Sequence, residues 1–167
     1  MRSPALAVVV LFALGFIEPL PDGSSMRVTI ELKLDEQKSV SFSYQTVPVA
    51  KRDEKPPQVG PEEAGWRLYA IAFAGELKTN TRLKAGEREF GPGTFGFFVQ
   101  PRGEGGHRLM VLDGRESFPI ELELTRSSIE YPYLTLSLAP TDLAHFELSV
   151  AWGKDLGRAR FWTVAAK

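Results

Sequence analysis

A two-residue hydrophobic period runs through most of this chain, and it restricts the possible folds more than any other feature. Val28, Ile30, Leu32 and Leu34 alternate with Arg27, Thr29, Glu31 and Lys33. Val40, Phe42 and Tyr44 alternate with Ser39, Ser41, Ser43 and Gln45. Successive side chains of a β-strand point to opposite faces, so such alternation marks strands with one buried face and one wet face. Asp35–Lys38 forms a polar turn between these two runs and makes them a hairpin. The same period returns at Leu77, Thr79, Thr81 and Leu83, then at Ile120, Leu122 and Leu124. It recurs at Leu134, Leu136 and Leu138, and at Phe146, Leu148, Val150 and Trp152, before Phe161–Val164 closes the pattern.

Other segments are continuous in apolar character. Trp66–Ala74 reads as a central strand covered on both sides, and His107–Leu112 as another buried strand. Turn chemistry separates the runs. Ala85-Gly86, Gly91-Pro92-Gly93 and Asp113-Gly114 are turn signals, and Arg102–Gly106 is a flexible tip. Thr141–Ala144 is the one short helical turn expected, with Thr141 or Asp142 as its cap. The prolines and charges of Pro48–Gly65 disfavour helix and strand alike, which implies an exposed loop. Together these features predict an all-β fold, an antiparallel, jelly-roll-like β-sandwich of about nine or ten strands.

The 167 residues suit one domain with a proper core, placed at residues 26–167. Residues 1–25 have a different character. Met1 and Arg2 supply positive charge, and no further charge occurs until Glu18. The apolar run between, Ala5–Ile17, falls short of the ~20 residues of a spanning helix and suits the core of a secretory signal. Small residues at Ala13 and Gly15 suit a cleavage site, so the mature chain is expected to start between Phe16 and Met26. The expected protein is therefore exported, periplasmic or extracellular, with no stable transmembrane segment after signal cleavage.

The resemblance of one segment extends this reading. Gly91-Pro92-Gly93-Thr94-Phe95, after a basic Gly turn and before an apolar strand, resembles the Pro-Ala-Gly-Thr-Tyr signature of the bacterial exported domain-of-unknown-function family 2911. The likeness covers about residues 66–164 and includes the closing order of Phe146–Trp152 and Arg160–Val164. Where the family often carries Gly-Ala-Asn-Glu after Trp-Arg, this chain has Leu68-Tyr69-Ala70-Ile71 after Trp66-Arg67. The resemblance implies an exported β-sandwich and no particular activity. Physically the motif is a strand start: Gly93 offers positive φ or a close bend, Pro92 fixes the turn, and Thr94 and Phe95 enter the sheet.

Several chemistries are excluded or weakly marked. With no cysteine there is no disulfide, thiolate metal site or cysteine nucleophile. Twenty Lys and Arg against 21 Asp and Glu give a net charge of -1, which offers nothing to a phosphate backbone, so nucleic acid is not an expected partner. No Gly-x-Ser-x-Gly elbow or phosphate loop occurs, and no cofactor is implied. Asp142 and His145, three apart, are candidate metal ligands that His107 could join; the simpler roles are a turn cap, a loop residue and a strand-edge residue. Glu121 and Glu123 share a strand face and, with Glu116, read as a solvated acidic surface. Tyr131 and Tyr133, held at a turn by Pro132, and Trp66 are candidate platforms for a sugar or a partner, whereas Trp66, Trp152 and Trp162 all fall in apolar patterns that favour the core. The expected function is a non-enzymatic exported module that binds a small molecule, a glycan or an envelope protein. The alternative is an exported hydrolase or carbohydrate-active protein using acidic residues or a His-centred metal site.

Overall fold

The computed structural model describes residues 26–48, 74–101, 106–114, 116–142 and 144–164. The expected export signal, the exposed loop after Pro48, the strand from Trp66 and most of the tip after Arg102 lie outside the described residues. Those residues form ten strands in two antiparallel sheets, and no helix occurs among them. The expected all-β, two-sheet fold is what the structure has.

The larger sheet orders six strands as β1 (Arg27–Lys33), β2 (Ser39–Gln45), β3 (Ala74–Thr79), β6 (Gly93–Pro101), β7 (His107–Asp113) and β8 (Glu116–Ile120). It is a meander with one excursion, in which β4 (Leu83–Ala85) and β5 (Arg88–Phe90) cross to the second sheet. Jelly-roll-like interleaving is confined to that excursion. The second sheet has the order β5, β4, β10 (His145–Thr163), β9 (Glu123–Pro140).

The crossing shows how the two-residue period survives a change of sheet. Leu77, Thr79, Thr81 and Leu83 are all buried, yet β3 stops at Thr79 and β4 starts at Leu83. Thr79 Oγ1 donates to the Thr81 carbonyl at 2.8 Å and accepts from its amide at 3.1 Å, so the buried link satisfies itself. Asn80 points the other way and staples the crossing to the β1–β2 turn. Its Oδ1 accepts from Ser39 N–H at 2.8 Å and its Nδ2 donates to Gln37 O at 2.9 Å.

β10 is not straight. Phe146 stacks on Phe161 with ring centroids 4.9 Å apart, and Thr163 N–H donates to Ala144 O at 2.7 Å. An extended strand would separate residues fifteen apart by ~50 Å. The strand therefore doubles back, and Gly153, at φ 66°, supplies the reversal. β9 wraps the resulting two limbs: Glu123–Arg126 lies along Arg158–Asp155 and Thr135–Pro140 along Ala151–Phe146. Register shifts on either side of Gly153 mark where β9 passes the tip. The sequence pattern places Tyr131-Pro132-Tyr133 on a turn between strands. The structure instead puts all three within β9 at this irregularity, where a proline without N–H is tolerated.

The core is one cluster lying between the sheets. Aromatic rings lock the layers together. Phe42 of the larger sheet meets Phe97 at 5.4 Å and Phe161 of the smaller sheet at 6.3 Å, both edge-on. Phe90 of β5 bridges to Phe95 and Phe118, each at 5.4 Å. One rim is pinned by hydrogen bonds: Leu134 N–H donates to Val47 O at 2.8 Å, and Leu136 N–H to the Tyr44 hydroxyl at 3.0 Å. Desolvation of its buried phenol raises the Tyr44 pKa, so the hydroxyl stays neutral and able to accept.

The glycine motif leads into β6, and Gly93 does so without the positive φ that its sequence offered. Gly93 opens β6 opposite Thr79 and is not among the positive-φ glycines, which are Gly86, Gly106, Gly114 and Gly153. Gly91 and Pro92 form the exposed link from β5, Thr94 faces outward, and Phe95 packs on Phe90.

The alternation in β9 sets up a test of register. Leu136 is buried while its neighbour Thr135 is exposed. A carboxylate at Leu136 would be buried without a partner at a cost of several kcal/mol, comparable with a domain's total stability of ~5–15 kcal/mol. We therefore expect Leu136→Asp to lose the cooperative thermal transition and Thr135→Asp to keep it. Equal melting of the two variants would show the strand register to be wrong.

Candidate functional site

The reversal of β10 sets two rows of side chains on the outer face of the smaller sheet. Phe146 and Leu148 on the first limb, and Ala159 and Phe161 on the second, point into the core. Residues two apart share a strand face, so His145 and Glu147 point outward from one limb and Arg158, Arg160 and Trp162 from the other. Lys84 of β4 pairs opposite Trp162 and extends this row.

A groove of ≈ 440 Å³ lies beside these rows. Its floor is Arg158, Arg160 and Trp162 with Glu147. The β4–β5 turn walls one side with Glu87 and Arg88, and the chain leaving β8 walls it with Glu121 and Glu123. Arg88 is propped by the Phe118 ring, its guanidinium carbon 5.1 Å from the centroid. Arg158 Nε is 3.6 Å from Glu147 Oε1, a half-exposed pair that fixes orientation more than it stabilises. The groove thus joins an aromatic edge to planar donors and carboxylate acceptors of both charges.

At the far end of the same face, Asp142 and His145 form a tight pair on the β9–β10 turn. His145 Nδ1 is 2.7 Å from both Asp142 carboxylate oxygens. Asp142 Oδ1 also accepts from the amides of Ala144 at 2.7 Å and His145 at 2.9 Å. This is a side-chain-capped bend, not the helical turn that Thr141–Ala144 suggested: Thr141 N–H and Asp142 N–H both donate to His145 O, which closes a hairpin. The amide of Ala144, then the His145 side chain, hold the Asp142 carboxyl below its ordinary pKa. The His145 ring meets Trp162 edge-on at 6.3 Å, so the pair adjoins the groove through that tryptophan.

The remaining sequence candidates go elsewhere. His107 is not a strand-edge surface residue. It is wholly buried at the start of β7, where its Nε2 donates to Val150 O at 2.9 Å. Beside it Asp155, also buried, accepts from Gly106 N–H at 2.9 Å and lies 3.3 Å from Arg126. Among the described residues, no three His, Asp or Glu side chains are grouped to hold a metal ion. Tyr133 is exposed and Tyr131 half-buried on β9, and neither lines the groove; Trp66 lies outside the described residues. Trp152 is in the core as its pattern suggests, whereas Trp162 is half-exposed in the groove. Glu121 lies between β8 and β9 and Glu123 starts β9, so they are not on one strand, yet both line the groove. Sequence reading missed Trp162, Arg158 and Arg160. The signal was present, because Ala159 and Phe161 alternate with them.

Comparisons with known proteins found no family model, no curated protein and no solved structure that matches this chain.

The lowered pKa of Asp142 has a consequence for stability. A carboxylate depressed in the folded state stabilises the fold above its unfolded pKa of ~3.9 and loses that contribution as pH falls through the folded value. Asp142→Asn keeps the backbone acceptor and removes the charge. We expect wild type to melt above this variant at about pH 6 and the gap to close toward about pH 2. A gap that stays constant over that range would refute the assignment.

Proposed function

We propose that this chain is an exported, bacterial-type β-sandwich module that binds a glycan without transforming it, in the groove on the outer face of the smaller sheet. One observation carries the reading: Trp162 lies in an open groove among arginines and glutamates. An indole face covers the C–H face of a sugar ring and excludes water from it. Guanidinium and carboxylate groups donate to and accept from adjacent hydroxyls with planar, two-pronged geometry. Convergent polar groups around an apolar contact are what an orienting small-molecule site requires.

Export rests on the sequence: the positive start, the apolar run Ala5–Ile17, and the resemblance of about residues 66–164 to family 2911 through Gly91–Phe95. Among the described residues no helix is long and apolar enough to cross a membrane. Glu121 and Glu123, in the same groove, favour glycoside hydrolysis as the second reading.

Two measurements test these statements. Against a panel of soluble oligosaccharides, calorimetry should find ligands whose affinity falls about tenfold in Trp162→Ala, equivalent to ~1.4 kcal/mol, and is unchanged in Tyr133→Ala. Loss in Tyr133→Ala alone would move the site to β9, and release of reducing ends would replace binding by hydrolysis. N-terminal sequencing of protein recovered outside the cytoplasm should begin between Phe16 and Met26, and an intact Met1 there would refute signal cleavage.

A further inference from the structure

The geometry points to a subsite beyond Trp162, in which His145 receives the carboxylate of an acidic sugar when its imidazole is protonated. This inference rests on the glycan-binding reading above and specifies its ligand class.

Three observations place the subsite. His145 and Glu147 share the outward face of the first limb, and Glu147 is part of the groove. The His145 and Trp162 rings form a T-shaped pair with centroids 6.3 Å apart at 72°, so a sugar ring resting on the indole brings its substituents near the imidazole. The His145 side chain keeps 41% of its surface exposed, although Nδ1 is engaged by Asp142. The ring is thus anchored through Nδ1 and in part exposed.

Hydrogen-bond direction then sets the selectivity. A carboxylate at Nδ1 keeps the proton on that nitrogen, so the neutral ring presents Nε2 as an acceptor. A sugar hydroxyl can donate to it. A sugar carboxylate, ionised, can only accept, and faces a like-ended contact. Protonation turns Nε2 into a charged donor: the hydroxyl adapts by rotating, and the carboxylate gains a charge-assisted bond. Asp142 stays ionised throughout, being held below the ordinary carboxylate range by Ala144 N–H and His145. The other charges on this face are Glu147 on the same limb, Arg160 on the second limb and Lys84 on β4. Lys84 and Arg160 favour an anion at this end, and Glu147 is drawn toward Arg158 at 3.6 Å.

The experiment is a paired titration of the full mature chain with an oligogalacturonide and a neutral galacto-oligosaccharide of equal length, at about pH 8 and about pH 5, the interval in which histidine changes charge. Uronide affinity should rise on the order of fivefold toward the lower pH, the size expected of an exposed charge pair, while neutral-sugar affinity stays within about twofold. His145→Gln should remove the uronide's pH response while keeping a cooperative thermal transition, and should hold the neutral sugar's affinity within about twofold because the glutamine side chain still accepts from a hydroxyl. A uronide response that survives in His145→Gln, or one that the neutral sugar shares, overturns the subsite while leaving the groove reading intact. Failure of both sugars to bind at either pH overturns the groove reading and the subsite together.

Discussion

The reversal of β10 at Gly153 is the constraint on which the rest of the smaller sheet depends. With φ at 66°, the residue sits where a side chain is strained, and the chain turns there without needing a loop. The two limbs then meet, which brings Phe146 onto Phe161 in the core and carries Phe161 to Phe42 across the sandwich. Trp152 and Asp155, either side of the turn, are both buried. Asp155 joins the tip to Gly106 at the head of β7 and to Arg126 of β9, so the reversal is held from both sheets. Without it, His145 and Trp162 would lie at opposite ends of a long strand instead of in contact on the outer face.

Much of this was legible in the sequence, for a local reason. Period two reports which way a side chain points, and burial of Val40, Phe42, Leu134, Leu136, Phe146 and Leu148 follows it. Reading Phe146–Trp152 and Phe161–Val164 as separate strands even agrees with the two limbs of β10. The Gly153-Lys154 step between them is the kind of pair that closes a hairpin, so the turn had a signal too. Period two fails where it is blind. It cannot tell a strand that continues from one that changes sheet, as Leu77–Leu83 shows, and it cannot tell a turn from a bulge, as Tyr131–Tyr133 shows.

The site was harder to read because it is assembled from distant segments. Glu87 and Arg88, Glu121 and Glu123, and Arg158 to Trp162 converge only once β4 and β5 have crossed between sheets. The apolar neighbours of Trp162 suggest the core, although strand alternation with Phe161 sends it outward. The same logic separates the two histidines. His107 starts a strand whose alternate residues, His107, Leu109 and Val111, are wholly buried, so the imidazole is drawn inside and must find the Val150 carbonyl. His145 is placed by Asp142, whose carboxylate closes the turn and orients the ring in one act.

Charge balance in the groove explains why net charge says so little about this chain. Three arginines, Arg88, Arg158 and Arg160, line the groove with four glutamates, Glu87, Glu121, Glu123 and Glu147, so the opposing signs nearly balance within it as they do over the whole sequence. Such a surface does not steer an ion from afar, because its field falls away within a Debye length of ~8 Å at physiological salt. On the glycan-binding reading proposed above, selectivity comes from contact: matched donors and acceptors at short range around one indole. That requirement suits a ligand carrying many hydroxyls, which donate and accept at once, whether its sugars are neutral or acidic. It also confines the proposed preference for an acidic sugar to a single position at the edge of the groove, where His145 stands apart from the arginines and glutamates that line it.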